Sequence, residues 1–339
     1  SLAISTSDLP VLAANSFKTS DRLIAVSDPV FGDTNCYVAG TIEFPDGLYA
    51  ASFDQLAFTE LFGLTFRGKG GRLGSDYQRG ATELVFSGTS SGYGLRVKGN
   101  GARSFNIEDM SVTYSGNGFT GTLIDVWNAP GFNHKNTYFG TDGVTAGTSY
   151  TTASALVQFT NAEYYQPQHS WMSGGTYGIY FYTARSTTSF GATNMNLSGL
   201  TLYNFTEAHV ATDGTYAISC LSMNGTTFSP ISVQPKRALR LRNVQGLDIS
   251  GAKFNGAAVA YQPSIEWMNC TNCDGRITSA LFGDRSHAGT LSGNLSVEGN
   301  YIYNTTGDGF RLMGGVVTAR SNYFFDANKG YSVFPTLSV

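Results

Sequence analysis

The chain has 339 residues with 41 glycines, 13% aromatic residues, only 13% charged residues and a formal net charge of -3. Charged residues stand at about half the usual share of a soluble domain, so Ser, Thr and Asn must solvate the surface, and the weak acidity gives no electrostatic ground for binding nucleic acid or an anionic membrane. No apolar run approaches the roughly 18 residues that span a bilayer, so membrane insertion is not expected.

Residues 1 to about 40 read as an N-terminal cap or lead-in. The opening SLAISTSDLP lacks a basic region followed by an apolar one and reads as the start of a trimmed chain. The segment TIEFPDGLYAASFDQLAFTELFGLTFRGKGG, residues 41–71, then sets a Pro-Asp-Gly turn between two short alternating runs. From there to about residue 330 helical periodicity is nearly absent, and short alternating runs bounded by Gly and Asn recur. One set ends in an aromatic or large apolar residue: GLTFRG at Phe66, ELVFSG at Phe86, SVTYSG at Tyr114, NTYFG at Phe139, HSWMSG at Met172, GLTLYN at Leu202, GTTFS at Phe228, GAKFNG at Phe254, SALFG at Phe282, NYIYN at Tyr303 and SNYFF at Phe324. A second set lies between these, as in GLRVKG, LIDVWN, LVQFTN, GIYFYT, ALRLRN, SIEWMN and GFRLMG. A third precedes the first, as in FNIED, GLDIS and NLSVEGN. GYSVFPTLSV closes the chain, so residues 331–339 read as a C-terminal cap or a truncated linker.

The marker residues recur about every 26 residues, a unit too short to bury a core alone and one that implies stacking. Two to three short strands per unit fit an all-β, single-stranded right-handed parallel β-helix of about eleven coils. Each strand then pairs with its counterpart one coil on, about 4.8 Å away, giving a rod on the order of 50 Å long. A sandwich or barrel would want antiparallel hairpins at its Asn-Gly and Asp-Gly pairs, and a propeller would need blades of about 40 residues.

TIEFPDGLYAASF followed by LFGLTFRGKGG resembles the entry module of pectate-lyase-like β-helix proteins, where an "fPxGxY" strand-turn-strand leads into a coil ending in an "lxGxG" turn. The resemblance covers about thirty residues in detail and the rest as a looser coil pattern. Within that superfamily the chain is most similar to bacteriophage tailspikes, which implies a homotrimer on the virion tail, outside the cell, that binds and often cleaves or de-esterifies bacterial surface polysaccharide. No cofactor or metal is implied. A secreted polysaccharide lyase and a non-catalytic adhesin rod are the alternatives. The "GDGxxDDT" lead of many relatives is absent, as are the polygalacturonase "NTD", "DD" and "GHG" motifs and the pectate-lyase "WxDH". Arg96-Val97-Lys98 matches an "RxK" pattern but lies far too early in the chain.

In a stacked solenoid, equal positions of successive coils form columns. The second set gives an outward column of Arg96, Asp125, Gln158, Tyr180, Arg240, Glu266 and Arg311, with Lys98, Trp127, Thr160, Tyr182, Arg242, Met268 and Met313 two residues on. Sugar rings take apolar stacking plus directed hydrogen bonds, so Trp127, Gln158, Tyr180, Tyr182 and Arg96 are the candidate glycan-binding residues. Hydrolysis generally takes two carboxyl groups about 5 to 9.5 Å apart. Asp125 is the candidate, with Glu163 in TNAEYYQPQ, or Glu207 or Asp213 in the expected loop YNFTEAHVATDGTY, as partner; Glu266 lies about five coils away and cannot pair with it. Asp284, Asp308 and Asp326 read as a second acidic column or as turn residues.

A lyase would want a proton-abstracting base, for which His134, Lys135 and His169, with Tyr164, Tyr165 and Arg185 nearby, are the candidates. Lys135 also aligns one coil after Glu108, as an ordinary ion pair would. No Gly-x-Ser-x-Gly elbow points to an esterase, and GKGGRLG without a following helix is not a phosphate loop. Cys36, Cys220, Cys270 and Cys273 are expected as buried thiols. CTNC at 270–273 offers only two of the four ligands that a structural zinc site uses.

Overall fold

The structure is a computed structural model that describes residues 2–3, 25–27, 36–58, 61–71, 80–98, 104–141, 152–184, 193–229, 233, 235–255, 263–268, 274–283 and 285–333. It is a right-handed parallel β-helix, and among the described residues all regular structure is strand. One coil shows the plan: Ser111–Ser115 lies in a first sheet, Thr122–Trp127 in a second and Asn133–Lys135 in a third. Each pairs in parallel with its equivalents one coil away. Among the described residues eleven strands stack on the first face, from Gly47–Ser52 to Tyr323–Phe325.

Alternation drives the stacking. In the second sheet Leu95, Ile124, Val157, Ile179, Val210 and Leu239 occupy one column and are 0% exposed. The residue that follows each of them, Arg96, Asp125, Gln158, Tyr180, Ala211 and Arg240, lies on the opposite, outer face of the strand. In the first sheet Phe228, Phe254 and Phe282 stack face to face, with centroids 4.8 and 4.6 Å apart and planes 15° and 4° from parallel. The coil repeat itself therefore sets the ring spacing.

The corners explain the asparagines. Asn128, Asn161 and Asn243 turn the chain from second to third sheet at φ of 49°, 49° and 51°, a left-handed conformation that Asn tolerates because its short polar side chain bonds locally. Asn161 Nδ2 donates to Asn128 Oδ1 at 3.2 Å, so these residues also ladder between coils. Single left-handed residues make the third-to-first corner at Asp109, Asn136 and His169. In the entry coil Phe-Pro-Asp-Gly takes their place: Phe44 and Tyr49 meet edge to face at 5.4 Å, and the Tyr49 hydroxyl donates to Pro45 O at 2.8 Å. Behind it Leu2–Ala3 pairs with Ile42 and Glu43, and Ala25–Ser27 pairs antiparallel with residues 36–38. Together they cover the open edge of the third sheet.

Several expectations are corrected. Phe66 belongs to the third sheet, paired with Ile107, because alternation alone does not say which face a strand joins. In the first sheet Leu84 and Val112, two residues before Phe86 and Tyr114, are in register with Phe139, and Ile302 replaces Tyr303. The expected loop YNFTEAHVATDGTY is mostly strand: Leu200–Gly214 runs without a break through the corner and, with Ser170–Thr183, joins the first and second sheets into one. That strand adds Ala211 to the outward column between Tyr180 and Arg240, and Thr290 separates Glu266 from Arg311. Cys220 is exposed rather than buried, at a left-handed residue within the third-sheet strand Ile218–Ser222. Cys270, Cys273, Asp284 and Arg185 lie outside the described residues. Among the described residues no helix is long and apolar enough to cross a membrane.

Candidate functional site

The outer face of the second sheet presents two adjacent columns. One runs Arg96, Asp125, Gln158, Tyr180 and, past Ala211, Arg240. The other runs Lys98, Trp127, Thr160, Tyr182 and Asp213. The five candidate glycan-binding residues, Arg96, Trp127, Gln158, Tyr180 and Tyr182, therefore share one face over four coils.

At the upstream end Arg96 Nε donates to Asp125 Oδ2 at 2.7 Å, and its guanidinium lies 3.9 Å from the Tyr93 ring centroid. The Lys98 ammonium covers the Trp127 ring at 4.2 Å, a contact that occupies one face of the indole. Asp125 is only 6% exposed. Burial pushes its carboxyl above the usual carboxylate range, and Arg96 and Lys98 pull it part of the way back.

Downstream, Tyr177 and Tyr180 stack at 5.2 Å with planes 29° apart. Arg240 lies 5.1 Å over the Tyr177 ring, donates from Nη1 to its hydroxyl at 3.0 Å and holds Nη2 3.6 Å from Asp213 Oδ2. Burial raises the Tyr180 hydroxyl to about 12, with the Asp213 charge adding to the rise. Tyr182, 39% exposed, stands between Thr160 and Asp213 in register. Its ring is the aromatic of this strip most open to a ligand. Tyr177 and Arg240 complete the cluster; the alternation put Arg240 in the outward column without a binding role, and nothing in it singled out Tyr177.

The four candidate carboxylates are not brought together. Asp125 and Asp213 are three coils apart, about 14 Å along the axis. Glu163 lies around the Asn161 corner, where its carbonyl accepts from Gly131 N at 2.8 Å. Glu207 sits at the corner between first and second sheets and is ion-paired with Lys236. Asp308 bonds Ser332, whereas Asp326 follows the Tyr303–Phe325 register pair and so stacks on Asn304. These two aspartates do not share a column.

The lyase candidates are also dispersed. His134 points into the rod, 2% exposed, with Nε2 2.6 Å from the Tyr165 hydroxyl and Nδ1 2.8 Å from both Ser170 Oγ and Thr137 Oγ1. Burial lowers it to about 3. His169 is exposed at the corner, and Tyr164 is exposed while Tyr165 is interior. Lys135 is in register with Glu108, as expected, but Glu108 accepts from Arg67 Nε at 2.9 Å. Among the described residues no group of three His, Cys, Asp or Glu side chains is placed to hold a metal ion.

No family model matches the chain, and no curated protein matches it. Solved structures do. A cysteine-to-alanine mutant of DFA-IIIase from Arthrobacter chlorophenolicus A6 in complex with DFA-III superposes with a TM-score of 0.64 at 11% identity, over 96% of this chain and 80% of that one. The ORF18 protein of Geobacillus virus E2 gives 0.55 at 11% identity over 93% and 56%, respectively. Tailspike protein 3 of bacteriophage CBA120 gives 0.53 at 11% identity over 89% and 55%. The chain thus spans little more than half the length of either phage protein. At this identity the likeness is one of fold, the right-handed parallel β-helix.

Proposed function

We propose that the protein is a tailspike-type receptor-binding protein that holds a bacterial surface polysaccharide along the outer face of its second sheet. The observation that carries this reading is the strip of Trp127, Gln158, Tyr180, Tyr182 and Asp213, in two adjacent columns over consecutive coils. A ring to stack on, with amide, hydroxyl and carboxylate groups at the strand spacing on either side, is what a chain of sugar rings takes. The two phage proteins of the same fold support placing the chain on a virion tail, with secretion as the alternative.

Depolymerisation by hydrolysis is the second reading, favoured by Asp125, whose burial raises its carboxyl as a general acid requires. Neither Asp213 nor Glu207 lies in the coil range of Asp125, and Glu163 lies past the Asn161 corner from the second sheet. The second carboxylate would therefore come from a neighbouring chain in a side-by-side homotrimer. Exposed aromatics support such a trimer: Tyr301 and Tyr323 stack at 4.9 Å on the outer first-sheet face, 47% and 50% exposed, beside Phe325 at 56%.

The test is incubation with capsule or O-antigen from a panel of strains, reading bound protein, new reducing ends and the absorbance of unsaturated uronate. Binding supports the first reading, and reducing ends without unsaturation add hydrolysis. Unsaturated product would replace hydrolysis by a lyase. Binding with neither product would leave a pure binder.

A further inference from the structure

The third sheet carries a polar groove separate from the strip just described. Its cavity of about 210 Å³, room for one sugar ring, is lined by Asn106, Glu108, Asn133, Lys135, Gln166 and Gln168, with the backbone of inward-pointing His134 as its floor. Two columns form it. Thr65, Asn106 and Asn133 are in register, and Asn133 Oδ1 accepts from Gln166 N at 2.7 Å. Beside them run Glu43, Arg67, Glu108, Lys135 and Gln168.

The second column alternates in charge along the rod and then stops. Arg67 bonds Glu43 at 3.3 Å and Glu108 at 2.9 Å. Lys135 comes next, exposed, and its ammonium has no ion pair or hydrogen bond among the described residues. Beyond it stands neutral Gln168, exposed like Gln166, and neither side-chain amide has a described partner. The place where the alternation calls for a negative charge is thus filled by an amide donor beside an ammonium without a partner among the described residues.

We infer that this groove is a second glycan site, which takes an acidic sugar and seats its carboxylate between Lys135 and the Gln168 amide. A carboxylate there continues the alternation and receives charge-assisted hydrogen bonds from both. The sugar hydroxyls meet Glu108 Oε1, Asn106 and Gln166, groups that accept or donate as a hydroxyl requires. The site stands on a different face from Trp127 and Tyr182, so it holds whether or not the second-sheet strip binds glycan.

The experiment is NMR on the full chain with ¹³C-dimethylated lysines, titrated separately with sodium glucuronate, methyl glucoside and sodium acetate. The Lys135→Arg variant assigns the Lys135 resonance. The expected result is a saturable shift of that resonance with glucuronate, not reproduced by methyl glucoside or by equal acetate. Lys135→Gln weakens glucuronate binding at least tenfold, and Lys253→Gln, at an exposed first-sheet position, leaves it unchanged. No shift at Lys135 in the millimolar range, a shift confined to Lys98, or equal shifts with acetate or methyl glucoside would overturn the assignment.

Discussion

The Nε2 of His134 lies 2.6 Å from the Tyr165 hydroxyl in the interior of the rod, on the far side of the strand from the groove that Lys135 opens. Neutral imidazole suits that place because one ring nitrogen donates and the other accepts. His209, also fully buried, is lowered to about 3, and His287 to about 4, each chiefly by burial. Folded-state values below the unfolded value of about 6.5 mean stability that is fully present above that pH and lost as pH falls toward 4 to 3. Each histidine should contribute a slope of about 1.4 kcal/mol per pH unit below pH 6. Urea unfolding between pH 7.5 and 4.5 checks this. His134→Gln should flatten the profile, and an unchanged profile would contradict the interior assignment.

Phe254 stacks between Phe228 and Phe282 at the repeat of the coil. Phe254→Ala should cost about 3 to 5 kcal/mol through lost transfer energy and an unfilled cavity, read as a lower denaturation midpoint. Leu48→Ser, at an outward position 52% exposed, should change stability by less than about 0.5 kcal/mol.

Tyr323 and Phe325 present an aromatic patch on the first-sheet face near the last coil. In a side-by-side trimer Tyr323→Glu with Phe325→Ser should shift the mass in sedimentation equilibrium from trimer to monomer while the far-ultraviolet spectrum stays that of a β protein. A wild-type monomer at micromolar concentration would contradict the trimer.

Asp125 is held by Arg96 at 2.7 Å. Because burial raises its carboxyl, the ionised form gains little from the site, and Asp125→Asn should leave the fold intact. If the protein hydrolyses its glycan, that substitution should lower kcat by about 100-fold or more, as loss of a general acid does, while binding persists.

The architecture was legible because apolar side chains alternate along many of the strands, as in Leu56–Phe58, Asn106–Glu108 and Asn294–Glu298, and corners mark themselves with Asn and Gly. Phe66 shows the limit: its run alternates as a first-sheet run does, and only pairing with Ile107 places it in the third sheet. The strand through Glu207 and Asp213 read as a loop because its alternation breaks at the corner it crosses, where the register shifts between the Gly175–Phe205 and Tyr177–Ala208 pairs. Tyr180 and Tyr182 were legible as outward residues, but the covering of Trp127 by Lys98 and of Tyr177 by Arg240 depends on side chains from different coils. His134 misled as a candidate base. A histidine at an inward position looks the same in sequence as one in a cleft, and its partners Thr137, Tyr165 and Ser170 come from two coils.

Binding of surface polysaccharide by the wild-type chain and by Tyr182→Ala, measured by biolayer interferometry on immobilised capsule or O-antigen, addresses the second-sheet strip most directly. Tyr182 is 39% exposed and makes no core contact that folding depends on, so its loss should spare stability and weaken binding about tenfold, the magnitude of one stacked ring. Equal binding by wild type, Tyr182→Ala, Trp127→Ala and Asp213→Asn would show that the glycan lies elsewhere on the rod.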